Sequence, residues 1–417
     1  MSINTPFGDD LDGFLGNLLQ GRSAITRWKT REMSGIYSKV GGDLTDYDIA
    51  SKVSSLRERI PGSMARRLSR LMNNSPWSTK LSVLLAMDAF LDGDLCGRPV
   101  DTQRVSAIVA GSNINMMHVF RNCQQYMEEP DYIDPIYAVD FLDTDHAACI
   151  ADVLEIEGSV YSVGGACASG SIALRCAMDE IRQHEMDMAL VVGAVFDIGL
   201  LELQGLAMLG AISTVSFNDE PMRASRPFDS AREGFVPTHG GAALVLEELD
   251  HALDRGARIY GELLGVEVNS AASRVPQPSE EHQVRVMERV LRSTSTDPHL
   301  IDFVSAHATS TPLGDLAEIR AIGRAFGDHA RALKVNAPKS MLGHTCWSAS
   351  VVETVAVMLQ MGAGRLHPSI NIDHLDPEIA LDVCANKMVE QPVRYALKNS
   401  FGFGGINASC LLRRYEE

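Results

Sequence analysis

Ser159-Val-Tyr-Ser-Val-Gly-Gly-Ala-Cys167-Ala-Ser-Gly170 is the stretch on which the reading of the fold turns. A short run of β-branched and aromatic residues ends in two glycines, after which Ile172, Ala173, Ala177, Met178 and Ile181 recur at helical spacing. The spacing predicts a strand, a tight turn of small residues and a helix, with Cys167 on the elbow. A helix N-terminus favours thiolate over thiol, and small neighbours leave the sulfur reachable. Yet a cysteine in such a turn is often an inert core residue, so the residues that accompany it decide its role.

Working outward, β-branched runs at Val105 to Ala110, Met188 to Val195, Ala242 to Leu246, Ile301 to Ser305 and Leu333 to Asn336 alternate with helical patterns. That alternation predicts an α/β protein with buried central strands. Two further segments have the strand-then-helix form: Ser305-Ala-His307-Ala-Thr309-Ser-Thr311-Pro-Leu-Gly-Asp315, and Lys339-Ser-Met-Leu-Gly-His344. Each presents a histidine at a strand end, where α/β folds place their active sites. The helix after the first is expected to start at Gly314-Asp315 and to bury Leu316, Ile319, Gly323 and Phe326, with Asp315 and Glu318 near its positive end. A third helix is expected from about Thr345 to Met361. Near the end, Asn399-Ser-Phe-Gly-Phe-Gly-Gly-Ile-Asn407 reads as a glycine-rich turn between strands Arg394 to Lys398 and Ala408 to Leu412. Such a turn lets backbone amides approach a ligand closely.

The chain has 417 residues, 45% of them hydrophobic and 22% charged, enough for two domain-sized cores or one duplicated fold. A net charge of -17 argues against a nucleic-acid partner and against an anionic membrane surface. Asp187, Asp197 and Glu202 break the most apolar stretch, Met186 to Ile212, which therefore reads as buried strand plus helix rather than a membrane span. The first residues show no secretory signal, so the expected compartment is cytoplasmic. The eight cysteines lack CxxC spacing, which suits free thiols in a reducing compartment and predicts no metal site. Pro276 and Pro278 mark a long loop from Ser273 to Glu281, expected to separate two halves.

Together, these motifs resemble the β-ketoacyl synthase family of fatty-acid and polyketide assembly. The resemblance rests on Cys167-Ala-Ser-Gly170, His307 to Asp315, Lys339 to His344 and Ser400 to Asn407, in that order, with Arg226-Pro-Phe-Asp229 and Arg232-Glu-Gly-Phe235 between them. It implies a thiolase-like five-layered αβαβα sandwich of two similar halves, here 1–250 carrying Cys167 and 251–417 carrying His307, Lys339 and His344. It also implies a homodimer, or a heterodimer with a second synthase-like subunit. Carried onto matching positions, Cys167 takes an acyl group from acyl carrier protein (ACP), and the backbone amides of Cys167 and Phe401 form the oxyanion hole. His307 and His344 stabilise the enolate of a malonyl thioester, and Lys339 organises the histidines. Thr309 and Thr311 match residues that bind the pantetheine arm. No metal or dissociable cofactor is implied. His239 and His367 are read as structural.

Some positions depart from the family pattern. Ala308 stands where glycine is usual, Thr345-Cys-Trp-Ser-Ala-Ser350 replaces a run of smaller residues, and Asn113-Ile-Asn-Met-Met117 occupies the acyl-channel region. Trp347 and Met116 are therefore expected to shorten the acyl pocket. Three readings stay open: a condensing synthase, favoured by Cys167; a malonyl-ACP decarboxylase of the β-branching kind; and a chain-length-factor-like partner subunit. Arg66, Arg67, Arg70 and Arg226 are expected to dock the acidic carrier protein. Met1-Ser-Ile-Asn-Thr-Pro-Phe-Gly resembles the segment that follows the family's first, central strand, which leads to the expectation that the true start lies upstream.

Overall fold

The computed structural model describes residues 1–29 and 33–416. Ten strands make two five-stranded sheets. The first sheet contains β1 (Ser2–Asn4), β2 (Val105–Ala110), β3 (Val160–Val163), β4 (Met188–Gly193) and β5 (Gly241–Glu247), in the order β3-β2-β4-β5-β1. The second contains β6 (Glu262–Ser270), β7 (Phe303–Ser305), β8 (Lys334–Asn336), β9 (Tyr395–Gly402) and β10 (Ile406–Arg413), in the order β8-β7-β9-β10-β6. Numbered within its own half, each sheet reads 3-2-4-5-1. In each, strand 2 pairs parallel with strands 3 and 4, and strand 5 pairs antiparallel with strands 4 and 1. The chain is therefore a duplicated α/β fold.

Three hydrophobic clusters stack the layers. Between the sheets lie the helices α1 (Ser169–Gln183) and, from the other half, the equivalent helix Ala349–Ala363; Ala173, Leu174 and Ala177 meet Val351, Val355 and Met358 there, with Ile108 from one sheet and Phe303 from the other. Outside the first sheet, Leu81, Leu84 and Leu85 of helix Trp77–Asp92 pack with Ile150 and Val153 of helix Asp143–Leu154. Outside the second, Met287, Val290, Ile319 and Ile322 form the other face. Helix, sheet, helix, sheet, helix gives the five layers expected from the resemblance. Buried on both faces, β2 and β4 need no polar alternation, so their sequences are uninterrupted apolar runs. The 18-residue stretch Cys346–Ala363 is long and apolar enough for a membrane span, but 83% of it is buried, as the middle layer requires.

Three expectations are corrected, and one strand is added. The N-terminal residues do not follow a strand; Ser2–Asn4 are β1, at the sheet edge beside β5 rather than in its centre. Only Ile3 is apolar there, and the seating of Ser2 Oγ on the Leu85 carbonyl, 2.7 Å away, is invisible in sequence. The loop around Ser273 to Glu281 does not divide the halves; the chain crosses between sheets through the short helix Leu249–Asp254. Strand β6 carries no clear strand signal in sequence, because Gly265 and two glutamates, Glu262 and Glu267, interrupt its apolar pattern at an edge position. Finally, α2 (Pro312–Phe326) starts earlier than expected and buries Asp315 and Glu318 completely instead of leaving them at an open helix end.

Candidate active site

The turn that carries Cys167 is built under strain. Between β3 and α1, Ala166 takes a left-handed φ of 47°, and residues Ala166–Ala168 form a 3-10 turn leading directly into the helix. Ser169 Oγ accepts the Gly165 N–H at 2.9 Å and donates to the Ala166 carbonyl at 2.6 Å, clamping the turn. Gly402 presses against it: a Cβ there would lie 2.8 Å from the Gly165 oxygen and 3.2 Å from the Cys167 nitrogen. That approach is open only to glycine.

His307 follows β7, and its loop is held from below by Glu318 of α2. The Glu318 carboxylate accepts the backbone N–H groups of His307 at 2.9 Å and Ala308 at 2.8 Å, and the Asn399 side chain at 3.0 Å. Burial pushes Glu318 up to about 7, against the pull of those donors. Asp315 does the same for the next turn, taking the N–H groups of Ser310 and Phe228. Lys339, on α3 (Lys339–Leu342), points Nζ at His307 Nδ1, 3.4 Å away, and forms a buried ion pair with Glu353 of α4 (Ala349–Ala363). His344 receives the Cys346 N–H on its Nδ1 at 3.2 Å.

These contacts decide the tautomers. Each Nδ1 faces a donor, so each imidazole carries its proton on Nε2. Burial drives both histidines well below their usual pKa, with Lys339 acting in the same direction, so both are neutral N–H donors. The His344 Nε2 has no partner among the described residues, and the rings stand 5.5 Å apart. One ligating atom from each of Cys167, His307 and His344 lies within 4.8 Å of the others. By residue type that trio also suits a soft metal, but the Lys339 ammonium against His307 Nδ1 would repel a divalent cation. Burial pushes the Cys167 thiol up to about 11; the Lys339 charge and the backbone N–H groups of Cys167 and Phe403 oppose it.

Of the two phenylalanines in the glycine-rich turn, it is Phe403, not the expected Phe401, whose backbone N–H meets the Cys167 sulfur. Strand β9 runs through Gly402, which keeps Phe401 in register with Asn407 and lays its ring against His307 at 5.8 Å. Pairing ends there, and Gly404 and Gly405, both at positive φ, turn the Phe403 N–H toward the sulfur.

The three side chains lie at the floor of a cavity of about 430 Å³. Thr309 and Thr311, their hydroxyls 3.1 Å apart, form part of its wall, with Val275, Pro276 and Pro278 of the proline-containing loop. The cavity is thus lined by two hydroxyls and apolar side chains and leads to a thiol beside two N–H donors. A matching family model decides what kind of protein this is: Beta-ketoacyl synthase, N-terminal domain, over residues 1–252, and its C-terminal domain over residues 260–373.

The chain belongs to the β-ketoacyl synthase family.

It is 31% identical over 421 residues to 3-oxoacyl-[acyl-carrier-protein] synthase 1 of Escherichia coli K12, covering 100% of this chain and 98% of that one. It is 30% identical over 422 residues to the polyketide biosynthesis malonyl-ACP decarboxylase PksF of Bacillus subtilis, covering 100% and 96%. Among solved structures, a β-ketoacyl synthase from Burkholderia phymatum superposes with a TM-score of 0.87 at 28% identity, covering 100% of this chain and 98% of that one. A type II polyketide ketosynthase complexed with its acyl-carrier protein superposes at 0.86, with 26% identity and the same coverage.

Within this synthase fold the remaining expected residues fall elsewhere. Trp347 and Met116 are not part of the Cys167 cavity wall. They pack with Phe196, Ile198, Leu203 and Cys346, the Trp347 ring 5.1 Å from Phe196. Arg226 is 2% exposed, with its guanidinium on Asp229 at 2.9 Å and Asp373 at 2.8 Å, so it braces the fold and cannot dock a partner. Arg67 pairs with Asp152 and Glu155, and Arg70 with Asp152, tying helix Gly62–Asn74 to helix Asp143–Leu154. Their charge is largely spent within the protein; Arg66 of the same helix is exposed and has no ion pair among the described residues. His239 is wedged between Trp28 and Trp77, at 5.1 and 5.0 Å, and His367 is buried on the Pro368 carbonyl. Sequence reasoning missed Glu353, although it is the one ionisable residue in the helix Ala349–Ala363, a signal in itself.

Proposed function

We propose that this synthase catalyses decarboxylative Claisen condensation of an acyl-Cys167 thioester with a malonyl thioester delivered on ACP. The observation that carries the reading is the pair of neutral imidazoles, both with Nε2–H, converging on the Cys167 sulfur. The acyl carrier thioester enters the cavity, and Cys167 sulfur attacks its carbonyl. The oxyanion is held by the N–H groups of Cys167 and Phe403, and the carrier thiol leaves with the cysteine's proton. The malonyl thioester follows, its carbonyl oxygen accepting from His307 and His344. Loss of carbon dioxide leaves the electron pair as an enolate between those two donors. The enolate carbon attacks the acyl-Cys167 carbonyl, the β-ketoacyl product stays on the carrier, and the Cys167 thiolate leaves and recovers a proton. The thioester itself makes the carbanion accessible, so we write the cycle with no metal or dissociable cofactor.

A second reading is malonyl-ACP decarboxylation without condensation, which the same two histidines would serve and which is in line with the 30% identity to PksF. Incubation with a panel of acyl-ACPs plus malonyl-ACP, followed by intact mass, separates them. Acylated Cys167 and a β-ketoacyl product are expected; acetyl-ACP alone, with no acylated Cys167 from any donor, would establish the decarboxylase.

Two partners complete the proposal. Acidic ACP would approach the cavity lip, where Arg274 is exposed beside Val275, aided by Arg66. A second copy of the chain would cover the exposed Tyr126, Met127, Tyr132, Ile136, Val139 and Phe141, a concentration of apolar surface that a soluble monomer does not ordinarily leave bare. Light scattering at micromolar concentration should give the mass of a homodimer; a monomer would overturn this part.

A further inference from the structure

Lys398, on β9, is 0% exposed and is not used in the chemistry above. Its Nζ lies 2.8 Å from Ser400 Oγ, 3.0 Å from Ser171 Oγ and 3.2 Å from the Ser350 carbonyl oxygen. An ammonium has three protons and no acceptor capacity, and here it meets three acceptors, on β9, on the first turn of α1 and on the first turn of α4. The Ser350 carbonyl can only accept, an ammonium supplies one proton to each of the three oxygens, and among the described residues none of its hydrogen-bond partners is a carboxylate.

Counting donors fixes the rest of the network. The Cys167 carbonyl can only accept, so Ser350 Oγ, 3.1 Å away, spends its one proton there. In the 2.8 Å contact between Ser350 and Ser400 the donor must then be Ser400. Lys398 supplies Ser400 in turn. The result is a one-way chain from a buried ammonium through two hydroxyls to the carbonyl of the nucleophilic residue, the arrangement in which successive hydrogen bonds polarise one another. Ser171, the other hydroxyl on Lys398, ties the same cation to the helix whose N-terminus carries Cys167.

We propose that Lys398 is a positioning residue for Cys167: through Ser400, Ser350 and Ser171 it holds the nucleophile turn and the start of α1 together, with its cation two hydroxyls away from the Cys167 carbonyl. The inference rests on the reading of Cys167 as the nucleophile. The ionisable groups facing this region are Lys339 on α3, Glu353 on α4, Glu318 on α2, Cys410 on β10, and His307 and Cys167 themselves. Lys339 and Glu353 pair with one another. Burial lowers the pKa of Lys398, with Lys339 adding to that and Cys410 and Glu353 opposing it. Lys398 contributes in turn to keeping His307 neutral.

The test is the pH dependence of Cys167 alkylation by iodoacetamide, followed by peptide mass, in wild type, Lys398→Met and Ser400→Ala. Alkylation needs no carrier protein, so this outcome is independent of whether the condensation reading survives; acylation of wild-type Cys167 by acyl-ACP tests that reading separately. Lys398→Met keeps the volume and removes the charge, and should move the alkylation midpoint upward by about one pH unit, slowing the reaction about tenfold at pH 7.5. Ser400→Ala keeps the cation and cuts the relay, and should slow acyl transfer to Cys167 with little change in midpoint. A purely structural lysine would lower the melting temperature and leave the midpoint where it was; that result in folded Lys398→Met overturns the proposal. Should Lys398→Met not fold, wild-type rates of alkylation and acyl transfer in Ser400→Ala overturn it equally.

Discussion

The two central-layer helices begin alike and end in opposite chemistry. In the first half, Ala166 takes a φ of 47°, Ala166–Ala168 form a 3-10 turn and a 15-residue helix follows. In the second, Cys346 takes a φ of 56°, Cys346–Ser348 form a 3-10 turn and another 15-residue helix follows. The middle residue of the first turn is Cys167, over the cavity; the middle residue of the second is Trp347, sealed against Phe196. One backbone device thus presents a reactive group in one half and a plug in the other. What differs is the space in front of it. Before Cys167 the second half supplies two histidine loops and the Phe403 turn, whereas before Trp347 the first half supplies Phe196, Ile198 and Met116.

Exchanging what the turns carry should break this asymmetry. Cys167→Ala removes the only sulfur among the described residues that line the cavity and should abolish acyl-enzyme and β-ketoacyl product, a loss on the order of 10⁶-fold by analogy with deletion of other enzymatic nucleophiles. Decarboxylation of malonyl-ACP, which needs only the histidines, should persist; intact-mass assays read both. On the other turn, Trp347→Ala should cost roughly 3–5 kcal/mol of stability by emptying a packed site. It should also shift acyl-enzyme mass spectra toward longer chains. Unchanged chain preference together with a lowered melting temperature would mean that the indole is packing alone.

His344→Ala sharpens the comparison on the side of the chemistry. It removes one N–H donor from the enolate and should cost about 3 kcal/mol, roughly a hundredfold in decarboxylation, while Cys167 alkylation persists. The pH dependence tests the burial itself. His307, His344, His146 and His367 are all held neutral by burial, His146 down to about 3 and His367 down to about 4. Below pH 6.5 the unfolded chain protonates where the folded chain does not, so each costs about 1.4 kcal/mol per pH unit until its folded pKa is reached. Burial raises Glu318 to about 7 and Asp315 to about 6. Those two acids act oppositely, stabilising the fold as pH falls through their folded values and until the unfolded acids protonate. Four histidines outweigh two acids, so the melting temperature should fall from pH 6.5 to 4.5. A flat profile would show that water reaches these rings.

The sequence by itself determined the α/β class, the elbow at Cys167, the two histidine loops and the family, because those features are local. A strand-turn-helix transition, a histidine after a strand and a glycine-rich turn are written in consecutive residues, and their order along the chain survives folding. Tertiary structure alone decided which of those residues do what. Phe403 rather than Phe401 offers its amide because strand pairing ends after Gly402, and the end of a ladder depends on the partner strand. Arg226 is consumed by Asp229 and Asp373, the latter 147 positions away, and Arg67 by Asp152, 85 positions away; no reading of a local basic cluster can see such partners. Glu353 and Lys398 stand in apolar surroundings that only the packing of two sheets on one helical layer creates, and the same layer turns Trp347 inward while it turns Cys167 out.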